Sequence, residues 1–161
     1  MALFAISDLH LPAREKPMDV FGAHWENHFE RIREDWLQRV GAEDVVLLPG
    51  DLTWAMRLED AMEDIARVGE LPGRKIILRG NHDYWWSAIG RVRRALPEGM
   101  YALQNDAMEL DGVLTPAPGA GRCPPTRRTR TISAFTRASG CGWRCLSNTR
   151  AAFRRTRRWW S

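Results

Sequence analysis

The chain has 161 residues, enough for one domain with a hydrophobic core, and its 44% hydrophobic and 27% charged residues are typical of a globular protein. No apolar run approaches the ~20 residues that cross a membrane, and the apolar start of the chain lacks the basic lead-in of a signal peptide. On these features we expect a cytoplasmic protein with no membrane partner.

The net charge of +4 averages two unlike parts of the chain. All 20 acidic residues lie in residues 1–114, together with 13 Lys and Arg. Residues 115–161 carry 11 Arg, no Lys and no acidic residue. All four histidines lie in the first part and all three cysteines in the second. A break this sharp predicts two segments of different origin or role, with the boundary near residue 114.

Short apolar runs alternate with helical patterns through the first part. The apolar runs predict three strands, at residues 2–7, 44–48 and 75–79. Apolar residues at helical spacing predict three helices, at residues 25–40, 57–68 and 87–96. Two more short strands are predicted at residues 100–103 and 107–110, with a turn at Asp111-Gly112. This alternation predicts an α/β fold with a largely parallel sheet.

Polar motifs follow each of the three predicted strands. They are Asp8-Leu9-His10, Gly50-Asp51 and Asn81-His82-Asp83. Ligands bind beyond the carboxyl ends of the strands in parallel sheets, so we expect these motifs to meet at one edge. A turn would explain an isolated Asn-His-Asp equally well. Three motifs at three strand ends favour a shared site instead.

Such a site would combine carboxylate oxygens, imidazole nitrogens and an amide oxygen. These ligands suit divalent manganese, iron, zinc or magnesium, and the absence of cysteine disfavours a structural zinc site. A carboxylate shared by two metal ions places them so that they hold the attacking and leaving oxygens of a phosphoester. The motifs therefore predict a metal-dependent hydrolase of phosphoesters.

The ordered set Asp-x-His, Gly-Asp and Gly-Asn-His-Asp, each after a strand, resembles the calcineurin-like metallophosphoesterases. The resemblance covers about residues 3–114, and the stretches 16–22, 50–56 and 80–86 are similar to one bacterial branch. It implies an α/β/β/α fold, a pair of packed β-sheets flanked by helices, here truncated. It also implies two divalent metal ions and hydrolysis of phosphate mono- or diesters.

The resemblance implies a role for each motif residue. Asp8 and His10 would hold the first metal ion, Asp51 would bridge, and Asn81 would hold the second. His82 would be the catalytic acid that protonates the leaving oxygen or steadies the phosphate. Asp83 would orient His82 through a hydrogen bond.

Other aromatic residues have simpler explanations. His24 and His28 fall in or beside the first predicted helix, where surface or partly buried placement is expected rather than metal ligation. Trp54, Trp85 and Trp86 line a substrate groove or pack in the core, and the sequence leaves both open.

The family pattern is incomplete in this chain. The family needs three more histidines downstream, one alone and two in a Gly-His-x-His stretch, and no histidine follows His82. Asp51 and Asn81 alone are too few protein ligands for a firmly held second ion. We therefore expect weak activity or none, and the sequence names no natural substrate beyond a phosphoester and no oligomeric state.

Three explanations compete for residues 115–161. One is a basic nucleic-acid tail with Trp143, Trp159 and Trp160 for stacking, carried on a non-catalytic α/β scaffold. Another is a zinc or redox site from Cys123, Cys141 and Cys145, although the cysteine spacing is poor for metal binding. The third is a shifted reading frame, whose product would be disordered.

The genetic code is compatible with the shifted frame. Residues 117–121, Ala-Pro-Gly-Ala-Gly, have codons GCN CCN GGN GCN GGN. Read from one nucleotide upstream, these codons allow Gly-Thr-Arg-Gly-Trp, a stretch that the resembled branch has at about this place. We favour the shifted frame and expect no nucleic-acid partner.

Overall fold

A computed structural model of the protein describes residues 1–13, 18–110, 113–116, 130–131 and 144–145. Four parallel strands form the centre of its main sheet, in the order β4-β3-β2-β1. Their bounds are β1 Leu3–Ala5, β2 Val45–Leu48, β3 Arg74–Leu78 and β4 Met100–Leu103. A two-residue strand, Arg144–Cys145, pairs antiparallel with β1 at the edge of the sheet.

Three α-helices connect these strands. They are α1 His28–Arg39, α2 Leu58–Gly69 and α3 Ile89–Ala95. Two 3-10 helices, Met18–Phe21 and Ala23–Trp25, precede α1. Among the described residues, no helix is both long enough and apolar enough to cross a lipid bilayer.

The side chains of the strands alternate between two apolar clusters, one on each face of the sheet. The larger cluster lies against the helices and includes Phe4, Val46 and Ile77 from the strands and Trp36, Ile65 and Val92 from the helices. The fully buried Trp36 also donates from its indole nitrogen to the Pro72 carbonyl at 2.9 Å. The smaller cluster, on the opposite face, is Leu3, Val45, Leu47, Ile76, Leu78 and Leu103.

A second sheet covers this smaller cluster. It contains β5 Ala107–Leu110, β6 Val113–Pro116 and β7 Arg130–Thr131, with β5 and β6 antiparallel. Met108 and Leu110 of β5 pack against the smaller cluster. The result is an α/β fold with two packed sheets, as the sequence predicted.

The predicted helices and strands are all present: the strands at residues 100–103 and 107–110 have the predicted ends, and the ends of the others are shifted. The first strand is shorter than residues 2–7, and α1 begins at His28 rather than at residue 25 because Asn27 has a left-handed backbone, with φ 50°. The turn predicted at Asp111-Gly112 lies outside the described residues, although β5 and β6 on either side pair antiparallel. Most of residues 115–161 also lies outside them, so the boundary near residue 114 and the shifted frame stay predictions.

Candidate metal centre

The loops that follow β1 and β2 lie side by side at the carboxyl edge of the sheet. Asp8 donates its backbone N–H to the Gly50 carbonyl at 3.1 Å, and His10 donates to the Asp51 carbonyl at 3.0 Å. A bridge between Leu11 and Thr53 continues this pairing. The two strands thus extend into a paired loop that fixes Asp8, His10 and Asp51 relative to one another.

Asp8, His10 and Asp51 form a compact set of metal-ligand side chains. One ligand atom from each lies within 4.8 Å of the others. Nε2 of His10 is 3.8 Å from Oδ1 of Asp8. Asp51 is buried, while Asp8 and His10 are half-buried, so the set opens toward solvent on one side. This confirms that the first two motifs meet at one edge of the sheet.

All three residues have a positive φ angle, a backbone conformation that residues other than glycine rarely adopt. Their φ angles are 58° at Asp8, 44° at His10 and 55° at Asp51. Each such residue costs of the order of 1–3 kcal/mol, and strain of this kind concentrates at functional sites. The described part of the chain thus carries backbone strain at each member of the set.

The loop after β3 lies close to the loop after β2, and one glycine in each loop makes this close approach possible. His82 donates its N–H to Oδ1 of Asp51 at 2.8 Å. A Cβ atom at Gly80 would collide with the carboxylate and the backbone nitrogen of Asp51. A Cβ atom at Gly50, where φ is 124°, would collide with the backbone of Gly80. Only glycine permits this close approach.

The profile of one family matches most of the chain. It is that of the calcineurin-like phosphoesterases, and it matches residues 1–133. The chain belongs to the calcineurin-like phosphoesterase family. No curated protein matches the sequence. The chain is also similar, at 24% identity and a TM-score of 0.44, to a protein of unknown function from Aquifex aeolicus whose crystal structure is solved. The match covers 70% of this chain and 58% of that one, less than two thirds of its length.

The donor set of this chain fits the divalent metal ions typical of its family. Two carboxylates and one imidazole are a hard to borderline set that suits manganese, iron, zinc or magnesium. Burial lowers the pKa of His10 below its usual value, while the Asp51 and Asp8 carboxylates partly oppose the shift. A lowered pKa favours the neutral imidazole that a metal ion requires.

The carboxylate of Asp83 has a different set of partners from the one we expected. It is 1% exposed and accepts from the backbone N–H of Asp51 at 2.8 Å, of Leu52 at 2.9 Å and of Gly80 at 2.7 Å. It also accepts from the Trp85 indole at 2.9 Å. Asp83 therefore joins the loops that follow β2 and β3.

The His82 ring lies within the site and does not donate the predicted hydrogen bond to the Asp83 carboxylate. Its Nδ1 atom is buried and has no hydrogen-bond partner among the described residues. Its ring centroid lies 6.1 Å from that of His10. Asn81, the predicted ligand of a second ion, is exposed on the same loop, one residue before His82.

Sequence reasoning missed one residue that supports the site. His28 is 7% exposed, and its Nε2 and Nδ1 atoms lie 3.1 Å and 3.2 Å from the carbonyl oxygens of Leu9 and Trp25. It thus holds the backbone between Asp8 and His10 and is no ligand in the set described above. No sequence pattern at the start of a helix indicates such a contact. The side chain of His24 lies outside the part of the chain that the structure describes.

The sequence did not settle whether three tryptophans pack in the core or line a groove; in the structure two of them lie in the core and one lies at the site. Trp85 and Trp86 are 2% and 4% exposed and pack in the larger cluster. Trp54 is half-buried and stacks on His10, with ring centroids 4.9 Å apart and an interplanar angle of 22°.

Proposed function

We propose that this chain hydrolyses phosphate mono- or diesters at the edge formed by its β1, β2 and β3 loops. The observation that carries the proposal is the meeting of Asp8, His10 and Asp51 ligand atoms within 4.8 Å of one another. The membership of the chain in the calcineurin-like phosphoesterase family supports a metal-dependent phosphoesterase activity.

Each polar residue at this edge has a proposed role. Asp8, His10 and Asp51 would hold one ion, and Asp51 and Asn81 a second. Divalent ions bound there would neutralise phosphate charge and supply a hydroxide nucleophile near neutral pH. The His82 N–H fixes the Asp51 carboxylate, since it donates to Oδ1 at 2.8 Å. That bond keeps the bridging residue in one orientation.

His82 has the proposed role of general acid. An imidazole can deliver a proton to a leaving oxygen at neutral pH, when the alkoxide or aryloxide would otherwise leave with full charge. Its ring contacts the Trp54 and Tyr84 rings, at centroid distances of 5.4 Å and 6.1 Å, so its orientation is restricted. Because the Asp83 carboxylate accepts its hydrogen bonds from other groups, we propose that this ring packing orients His82.

We also propose that turnover is low. No histidine follows His82 in the sequence, so the second ion would have Asp51 and Asn81 as its protein ligands. Two ligands hold a divalent ion weakly.

Hydrolysis of p-nitrophenyl phosphate and bis(p-nitrophenyl) phosphate with added Mn²⁺ tests the proposal. We expect slow turnover that requires the metal and disappears in Asp51→Ala. Asp60→Ala, which removes an exposed carboxylate from the first turn of α2, is the matched control and should keep the wild-type rate. Turnover that is equal in wild type and Asp51→Ala would refute the proposal.

A further inference from the structure

Five aromatic rings form a continuous row across the candidate site. Trp54 contacts both imidazoles, with ring centroids 4.9 Å from His10 and 5.4 Å from His82, and the two imidazoles lie 6.1 Å apart. Tyr84 lies edge-on to His82 at 6.1 Å, and Trp25 lies edge-on to His10 at 6.5 Å. Only the two histidines have chemical roles in the proposed reaction. The three other rings need a separate explanation.

Tyr84 is the member of this row that faces solvent. It is 53% exposed, whereas the next two residues along the chain, Trp85 and Trp86, are buried in the core. A turn in which Tyr84 donates its N–H to the His82 carbonyl at 2.9 Å sets this outward direction. The loop thus buries two large aromatic rings and presents the third beside the proposed acid.

Trp54 is held in a fixed position in the same row. Its indole nitrogen donates to the sulfur of Met18 at 3.0 Å, and its face stacks on His10. A ring that is fixed before a ligand arrives loses little conformational entropy on binding.

The position of the leaving group follows from the role of His82. If His82 protonates the leaving oxygen, the group attached to that oxygen lies within a few bonds of the His82 ring. The apolar surfaces closest to this ring in the row are Trp54 and Tyr84. Planar aromatic groups stack on such surfaces more favourably than saturated groups of the same size.

We propose that this site prefers phosphoesters whose leaving group is a flat aromatic system, an aryl or a nucleoside group, which packs against Tyr84 and Trp54. The inference rests on the proposed function, because His82 and the ligand set define where the phosphate lies. Tyr84 is the specificity residue, since its ring is the exposed one.

A matched pair of ligands tests the preference directly. Phenyl phosphate and cyclohexyl phosphate share the phosphate and the six-carbon ring, but only the first is flat and aromatic. We would measure the Kd of each by calorimetry on the full chain with Mn²⁺ present. Stacking predicts that phenyl phosphate binds about three- to tenfold more tightly. A Kd ratio near one in the wild type would overturn the inference.

Two variants of Tyr84 sharpen the measurement. Tyr84→Phe keeps the ring and should keep the preference for phenyl phosphate. Tyr84→Leu keeps an apolar side chain without a ring and should lower the Kd ratio toward one, since Trp54 is then the aromatic surface that remains beside His82. A Tyr84→Leu protein that keeps the wild-type ratio would also overturn the inference.

A titration with Mn²⁺ alone separates this inference from the proposed function. If Mn²⁺ binds and the Kd ratio is near one, the leaving-group preference is refuted while the metal site stands. If Mn²⁺ does not bind, the proposed function fails, and the inference that rests on it fails too.

Discussion

Replacement of Asp83 should destabilise the whole domain, because its carboxylate joins two of the loops that build the site. It accepts four hydrogen bonds, from the N–H groups of Asp51, Leu52 and Gly80 and from the Trp85 indole, at 2.7–2.9 Å. Asp83→Ala leaves all four donors without this acceptor in a position that is 1% exposed. The change removes the main link between the β2 and β3 loops.

The size of the effect follows from the number of donors. A buried donor without a partner costs about 1–3 kcal/mol, and water entering the vacated space would satisfy some of the four. We therefore expect Asp83→Ala to lower the free energy of unfolding by about 3–5 kcal/mol, a large share of the total for a domain of this size. Asp83→Asn should also destabilise, because its NH₂ group would face N–H donors.

Urea unfolding followed by tryptophan fluorescence measures this effect, since Trp85 and Trp86 are buried. Asp8→Ala is the matched control, because it removes a carboxylate from the candidate site whose side chain is 33% exposed. We expect this control to change the free energy of unfolding by less than about 1 kcal/mol. If Asp83→Ala unfolds at the same urea concentration as Asp8→Ala, the joining role is refuted.

Three further predictions concern the close contact at Gly80, the buried amine of Lys75 and the reading frame. Gly80→Ala should prevent Mn²⁺ binding measured by calorimetry, because a Cβ atom there collides with the Asp51 carboxylate; unchanged affinity would contradict this. Burial lowers the pKa of Lys75 from 10.5 to about 8. The unfolded chain therefore binds more protons between these pH values, so wild type should gain stability relative to Lys75→Met as pH rises above about 8. If the difference in urea midpoint between wild type and Lys75→Met does not change with pH, the lowered pKa of Lys75 is refuted. Resequencing codons 112–123 should reveal an upstream frame that continues to a lone His codon and then Gly-His-x-His; early stop codons would contradict the shift.

The fold and the meeting of the motifs were predictable because they depend on local patterns. Apolar runs closed by glycine or polar residues mark strand ends, and the carboxyl ends of parallel strands share one edge. Asp8, His10 and Asp51 can therefore be grouped from the sequence alone.

The partners of individual side chains were not predictable in the same way. The family resemblance implied that Asp83 orients His82, yet the Asp83 carboxylate accepts hydrogen bonds from the β2 loop. His28 reads as one residue of an amphipathic helix, but it contacts the Leu9 carbonyl, 19 positions away. Such contacts depend on how the loops fold over one another, which a one-dimensional pattern does not encode.

Binding of Mn²⁺ to the intact chain, followed by electron paramagnetic resonance, tests the metal centre most directly. The account predicts saturable binding to the wild type and to Asp60→Asn, a control that alters an exposed carboxylate on α2. Asp51→Asn should bind Mn²⁺ at least about tenfold more weakly, because it removes a charged member of the Asp8, His10 and Asp51 set. Equal affinity in Asp51→Asn and Asp60→Asn would contradict the metal centre.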